Sequence, residues 1–346
     1  MMRALLAALV LAATAVTDAS ARSNVKHSVL TFDDLVGWES DDHSAALQVF
    51  LNTCGDMKTP EWTSLCALGK TQSNAKTFFE LFFRPVLVQD GVPALFTGYF
   101  EPELNGSRTR YGKYQFPLYR APPELRPGQL WFSRSVIEKD EILAGRGLEI
   151  AWIDNPVDVF FLQVQGSGRV RLTDGTSLRV GYGGANGRPY KSIGEELVRR
   201  GVYQPHQVSA QVIRNWVERN PTAGTDLLRF NPSYVFFREV NEVPLDKGPL
   251  GAMNRSITTE RTIAVDPRFV PLGAPVWIEK GGRGRINRLM VAQDTGSAIK
   301  GAQRADIFLG TGNDAGRAAG KIRDPGRMVV LMPIEEAYAK AEGIFE

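Results

Sequence analysis

Apolar and polar positions along this chain follow helical spacing in some stretches and strand-like runs in others. Between Asp41 and Phe50, and again between Asn74 and Phe83, apolar residues recur every three or four positions, as in Ala75, Phe78, Phe79 and Phe82. That spacing predicts two helices, the second capped by Ser73 or Asn74 and ended by Pro85. Residues 22–35 read as a polar, then extended lead-in, and Ala94–Phe100 begins an extended aromatic stretch. From about Ser107 to Arg229 come short strand-like runs at Tyr114–Tyr119, Asp158–Gln165, Arg169–Leu172 and Leu178–Tyr182, with Asp174-Gly175 as a hairpin turn. Helical spacing returns over Ser192–Arg200 and Val208–Glu218, strand-like aromatics over Asn231–Phe237, and a terminal helix over Ile334–Glu342.

The most informative stretch runs from Ser256 to Gly312, where three aspartates end or interrupt short apolar runs. Asp266 stands in Thr262-Ile263-Ala264-Val265-Asp266-Pro267, Asp294 in Leu289–Gly296, and Asp306 in Arg304–Gly310. Runs this short, β-branched or aromatic and punctuated by Gly or Pro, read as strands of a small barrel. Such a barrel could bring the three carboxylates to one face. Asp266 and Asp294 are equally readable as ordinary turn residues, whose short carboxylates bond backbone N–H groups two residues on. Asp306 differs, because it lies inside a strand-like run and shares a face with Phe308. A carboxylate beside apolar groups is costly to bury or has its pKa raised.

The fold class expected is mainly β. Because 346 residues exceed one typical domain, two are expected. The block 107–229 reads as self-contained, with barrel-like strands on both sides. This predicts an inserted β-rich domain in a barrel domain built from 22–106 and 230–346, and a ligand cleft between them.

Charge adds little, since a formal +3 without a Lys/Arg block gives no sign of a nucleic-acid partner. The N-terminus says more. Arg3, the apolar run Ala4–Val16 and Ala19-Ser20-Ala21 read as a secretory signal peptide over residues 1–21, too short to span a bilayer as a mature helix. No cysteine follows it to accept a lipid, so an exported protein without a lipid anchor is expected. The cysteines are Cys54 and Cys66; export favours a disulfide between them over two buried thiols.

The candidate chemistry narrows by residue type. His27, His43 and His206 lack ligand spacing, so no metal or other cofactor is expected. No G-x-S-x-G elbow exists, and Gly166-Ser167-Gly168 is too sparse for a phosphate loop. Asp294-Thr295-Gly296 resembles an aspartic-protease loop, but the dyad needs two and only one occurs. Glycan cleavage fits better. It needs a protonated acid at the leaving oxygen and aromatic and amide side chains for sugar rings. Asp306 suits the acid, while Tyr99, Phe100, Gln165, Ser167, Tyr182 and Asn186 could line a groove. For any one of the aromatics, core packing is the commoner role.

Six ordered motifs complete the reading: Thr97-Gly98-Tyr99-Phe100-Glu101-Pro102, Phe116-Pro117-Leu118-Tyr119-Arg120, Phe161–Gly168, Tyr190-Lys191-Ser192-Ile193-Gly194, Asn231–Phe237 and the three aspartates. Together they closely resemble the membrane-bound lytic murein transglycosylase A family over nearly all the mature chain. The resemblance implies a double-psi β-barrel with an inserted second domain. It also implies non-hydrolytic cleavage of the MurNAc–GlcNAc β-1,4 bond of peptidoglycan, leaving a 1,6-anhydro-muramoyl end. Asp306 matches the family's acid and base, Asp294 and Asp266 its other aspartates, and Thr97 joins the groove residues. Such an enzyme would be periplasmic, peripheral to the outer membrane at most, with glycan strands and cell-wall enzyme complexes as partners. The rivals are a hydrolase on the same barrel, using Asp294 or Asp266 as base for water, and a non-catalytic peptidoglycan-binding protein.

Overall fold

The computed structural model describes residues 25–343. The signal-peptide reading of residues 1–21 lies outside them. Two sheets dominate. The larger has nine strands in the order Lys26–Val29, Phe83–Gln89, Gly326–Pro333, Pro275–Lys280, Ile286–Thr295, Thr262–Val265, Arg304–Thr311, Leu95–Glu101 and Arg323–Asp324. Its inner strands come from both ends of the chain, and residues such as Val276, Trp277, Val291 and Val330 are almost wholly buried. Burial of such near-continuous apolar strands is the main stabilising term in this half.

The second sheet has six strands, ordered Phe116–Tyr119, Glu149–Ile153, Glu103–Ser107, Gly168–Leu172, Ser177–Ala185 and Val235–Glu239. Two of them correct the sequence reading. Val235–Glu239, expected in the barrel, pairs antiparallel with Ser177–Ala185. Glu103–Ser107, whose first four residues were also expected there, pairs parallel with Gly168–Leu172. The chain therefore passes from the first sheet to the second at Pro102, directly after Leu95–Glu101, and leaves the second sheet after Glu239.

Local structure departs from the expected pattern at Asp158–Gln165 and at Pro85, among other places. Residues 158–165, read as a strand from their Val and Phe content, form part of the helix Pro156–Gln165. Its stop and start signals are strong: Asn155 accepts from the Val157 N–H, Pro156 takes the first turn, and Gly166 closes the end with φ +80°. Pro85 does not end the preceding helix, which stops at Phe82. It lies inside the strand Phe83–Gln89, near its start, where its carbonyl accepts from Leu30 N–H at 2.8 Å.

The predicted helices near the N-terminus run over His43–Thr53 and Ala75–Phe82, the second capped by Asn74. A third helix, Pro60–Gly69, fills the cysteine loop. Cys54 and Cys66 are disulfide-bonded with Cα atoms 5.5 Å apart, tying the first helix to the third. Phe50, Phe78, Phe79, Phe83 and Trp62 stack edge-on or tilted over one end of the larger sheet.

Candidate active site

Sheet register brings two of the three aspartates together. Ala264, on the strand Thr262–Val265, has Asp294 as its parallel partner on one side and Asp306 as its antiparallel partner on the other. Two inter-strand steps put their Cα atoms roughly 10 Å apart. Both side chains are half-buried.

Asp306 is set by the strand beside it. Leu95–Glu101 runs parallel to Arg304–Thr311 with Thr97 opposite Asp306 and Tyr99 opposite Phe308. The Thr97 hydroxyl donates to Asp306 Oδ1 at 2.7 Å and accepts from Arg304 Nη2 at 2.8 Å. A guanidinium can only donate, so Arg304 occupies the hydroxyl oxygen and turns the Thr97 proton toward the carboxylate. Burial pushes the Asp306 carboxyl above the ordinary aspartate range, against the opposing pull of the Thr97 hydrogen bond and the Arg304 charge. A carboxyl in this state can hold a proton and release it.

Asp294 is more fully bonded. Its Oδ2 accepts from the Tyr99 hydroxyl at 2.9 Å, and its Oδ1 from the backbone N–H groups of Ala252 and Thr295 at 3.0 and 2.9 Å. Burial again raises its pKa, with the Asp306 charge adding to the effect and the three hydrogen bonds opposing it. Desolvation beside the two aspartates pushes the Tyr99 phenol well above its ordinary value. The Tyr99 ring lies 5.3 Å from that of Phe308, centroid to centroid.

Asp266 does not join this pair. It is 1% exposed, and its carboxylate is gripped by the Arg268 guanidinium at 2.6 Å and by Gly301 N–H at 2.9 Å. Those donors, Arg268 first, hold its pKa down at about 2. It anchors the loop leading into Arg304–Thr311 and is spent as a site carboxylate.

The remaining candidates divide. Thr97 and Tyr99 touch the aspartates. Gln165, at the end of its helix, accepts from Phe100 N–H at 3.1 Å where the chain crosses between sheets, and Ser167 lies two residues beyond it. Tyr182 is 59% exposed on the second sheet. The Phe100 ring packs on the helix Gly312–Ala319, where a Cβ on Gly316 would meet it at 2.8 Å. Asn186 is a correction. It is fully buried, donating to the carbonyls of Phe132 and Pro232 at 2.8 Å and accepting from Tyr234 N–H at 2.9 Å. With its amide consumed by the segments at Phe132 and Pro232–Tyr234, it cannot meet a sugar. Glu101 was given no role of its own in the sequence reading, yet it is a wholly buried carboxylate, paired with two arginines, at the end of the strand that serves both aspartates. Among the described residues no group of three or more His, Cys, Asp or Glu side chains gathers that could hold a metal ion.

Comparisons place this geometry. Residues 95–238 match the MltA specific insert domain and residues 261–332 the 3D domain. The membrane-bound lytic murein transglycosylase A of Escherichia coli strain K12 is 36% identical over 249 residues, covering 68% of this chain; the match spans 65% of that relative, just under two thirds of its length. The solved structure of LtgG, a lytic transglycosylase of Burkholderia pseudomallei, is 41% identical, with 89% of this chain and 96% of that one covered and a TM-score of 0.61. A structure of E. coli MltA with bound chitohexaose is 28% identical, with 89% and 94% covered and a TM-score of 0.73. On these grounds the chain belongs to the membrane-bound lytic murein transglycosylase A (MltA) family.

Proposed function

We propose that this protein is a lytic transglycosylase of peptidoglycan, cleaving the MurNAc–GlcNAc β-1,4 bond with Asp306 as the single acid and base. The observation that carries the reading is the setting of Asp306: half-buried, raised in pKa, and held by a hydroxyl whose proton points at it. Chitohexaose bound to the E. coli relative supports a glycan chain as ligand. We assign that ligand to the space between the two sheets, with Tyr182, Gln165 and Ser167 on its second-sheet side.

The reaction balances without water. Protonated Asp306 gives its proton to the glycosidic oxygen as the C1–O bond breaks and positive charge develops on the muramoyl ring. The C6 hydroxyl of the same ring then closes on C1 while its proton returns to Asp306. The nucleophile is intramolecular, so its effective concentration is already high and one carboxyl group suffices. Asp294 stabilises the developing charge. It is poorly suited to activating water as a hydrolase base, since three donors already occupy its oxygens. Asp266, ionised and latched, acts only by fixing the loop before Asp306. Export to the periplasm completes the proposal; among the described residues no helix is long and apolar enough to cross a membrane.

Mass spectrometry of muropeptides released from purified peptidoglycan tests this directly. The parent protein yields 1,6-anhydro products and Asp306→Ala yields none. Reducing-end products would make the protein a hydrolase, and anhydro products from Asp306→Ala would put the acid elsewhere.

A further inference from the structure

Glu101 is wholly buried at the junction of the two sheets, and the mechanism above does not use it. Its Oε1 accepts from Arg179 Nε at 3.0 Å; its Oε2 accepts from Arg169 Nε at 2.8 Å and from the Thr311 hydroxyl at 2.8 Å. Arg169 and Arg179 are cross-strand partners in the second sheet. Thr311 ends the strand that carries Asp306, and Glu101 is its partner across a register shift that begins after Phe308. Both arginines also donate to the Lys247 carbonyl, at 3.1 and 2.6 Å, and Arg179 to that of Pro244 at 3.0 Å. One carboxylate therefore joins both sheets and the connection 240–261 that links them.

Each arm of this hub leads to an aspartate. Along Leu95–Glu101 the residues Thr97, Tyr99 and Glu101 alternate onto one face, and the first two bond Asp306 and Asp294. Along the connection, Lys247 lies five residues before Ala252, whose N–H bonds Asp294. That segment packs with no slack: a Cβ on Gly248 would lie 2.1 Å from the Ile257 carbonyl oxygen, and one on Gly251 2.6 Å from that of Gln293. The fold alone does not call for this arrangement. Two guanidinium groups around one buried carboxylate leave an excess positive charge, and apolar residues would join two sheets without that penalty.

We infer that Glu101 is a positioning residue for the proposed reaction, aligning the second sheet and the 240–261 connection with the strand that orients Thr97 and Tyr99 against the two aspartates. The inference rests on the catalytic reading of Asp306. It assigns Thr311 the link between the hub and the Asp306 strand.

The test compares the parent with Thr311→Val, Thr311→Ser and Glu101→Gln. Turnover of peptidoglycan is measured beside the ¹³C-carboxyl titrations of Asp306 and Asp294. Thr311→Val keeps both ion pairs and is expected to fold, with kcat down about tenfold, KM within about twofold and a displaced titration midpoint for at least one aspartate. Thr311→Ser restores all three. Glu101→Gln is expected to fall further; should it fail to fold, the Thr311 pair decides. A folded Thr311→Val with parental kcat, KM and both midpoints would overturn the inference. If the parent forms no anhydro products, the catalytic reading fails by itself, and the titrations still decide whether the hub sets the aspartates.

Discussion

Asp306 and Asp266 lie one residue beyond the paired Ala305 and Val265 of adjoining antiparallel strands, yet the fold uses them in opposite ways. Asp266 is sealed under a guanidinium and a backbone N–H, and its proton is held off down to a pH of about 2. Asp306 receives a hydroxyl proton and a more distant positive charge, and burial wins, so its proton is held more tightly than an ordinary aspartate's. The residue type is the same and the strands are neighbours, with Asp306 on one and Asp266 just past the end of the other; the number and charge of the donors differ. Saturating a carboxylate with charged and backbone donors makes a fastener, while leaving it under-saturated and half-buried makes an acid.

The largest test of that contrast is Asp306→Asn. The amide keeps the shape and can still accept from Thr97, but it has no exchangeable acid proton. Turnover should fall about a thousandfold, the scale of a lost general acid, with the melting temperature close to that of the parent. A rate within tenfold would dissolve the distinction between the two aspartates. Asp266→Asn should show the reverse pattern, with stability lost first. A carboxyl lowered from 3.8 to about 2 contributes stability above its unfolded pKa and loses it as pH falls through the folded one. Because the Arg268 side chain is 67% exposed, we discount for solvent screening and expect a deficit of about 1–2 kcal/mol near neutrality. Urea unfolding from neutral pH down to about 2 should show the parent's advantage shrinking below pH ~4. A deficit that stayed constant with pH would mean that packing, and not the ion pair, is what Asp266 supplies.

Much of this contrast was legible in the chain. A carboxylate inside Ala305-Asp306-Ile307-Phe308 breaks the strand pattern, and the structure has it there on a strand beside Thr97. The hairpin at Asp174-Gly175 and the helix after Asn74 were equally plain, because turn and cap chemistry act over three or four residues. What could not be read depends on distant partners. Asp266 has its main latch nearby in Arg268, but its second donor, Gly301, lies thirty-five positions on. Asn186, expected to line the groove, is held in the interior by Phe132 and Pro232. Glu101 ends its strand, and the arginines that bury it lie 68 and 78 residues away. The helix Pro156–Gln165 is a different kind of miss. Its Asn-Pro start and glycine stop were present, and the β-propensity of Val and Phe was allowed to outweigh them.

The smallest and most discriminating change is Thr97→Val, which keeps the volume and removes the hydroxyl. In the parent that hydroxyl stabilises the charged form of Asp306, so it opposes the burial that raises the pKa. Without it the carboxyl should hold its proton to still higher pH. The protonated acid starts the reaction, so activity is lost as pH rises through this pKa, and the alkaline limb of the kcat profile should move to higher pH. Maximal turnover should drop a few-fold, the scale of one hydrogen bond of ~1 kcal/mol. Thr97→Ser should return both limb and rate to those of the parent. A limb displaced toward lower pH in Thr97→Val would mean that the hydroxyl favours the protonated carboxyl, and that Arg304 does not orient it as the bond lengths require.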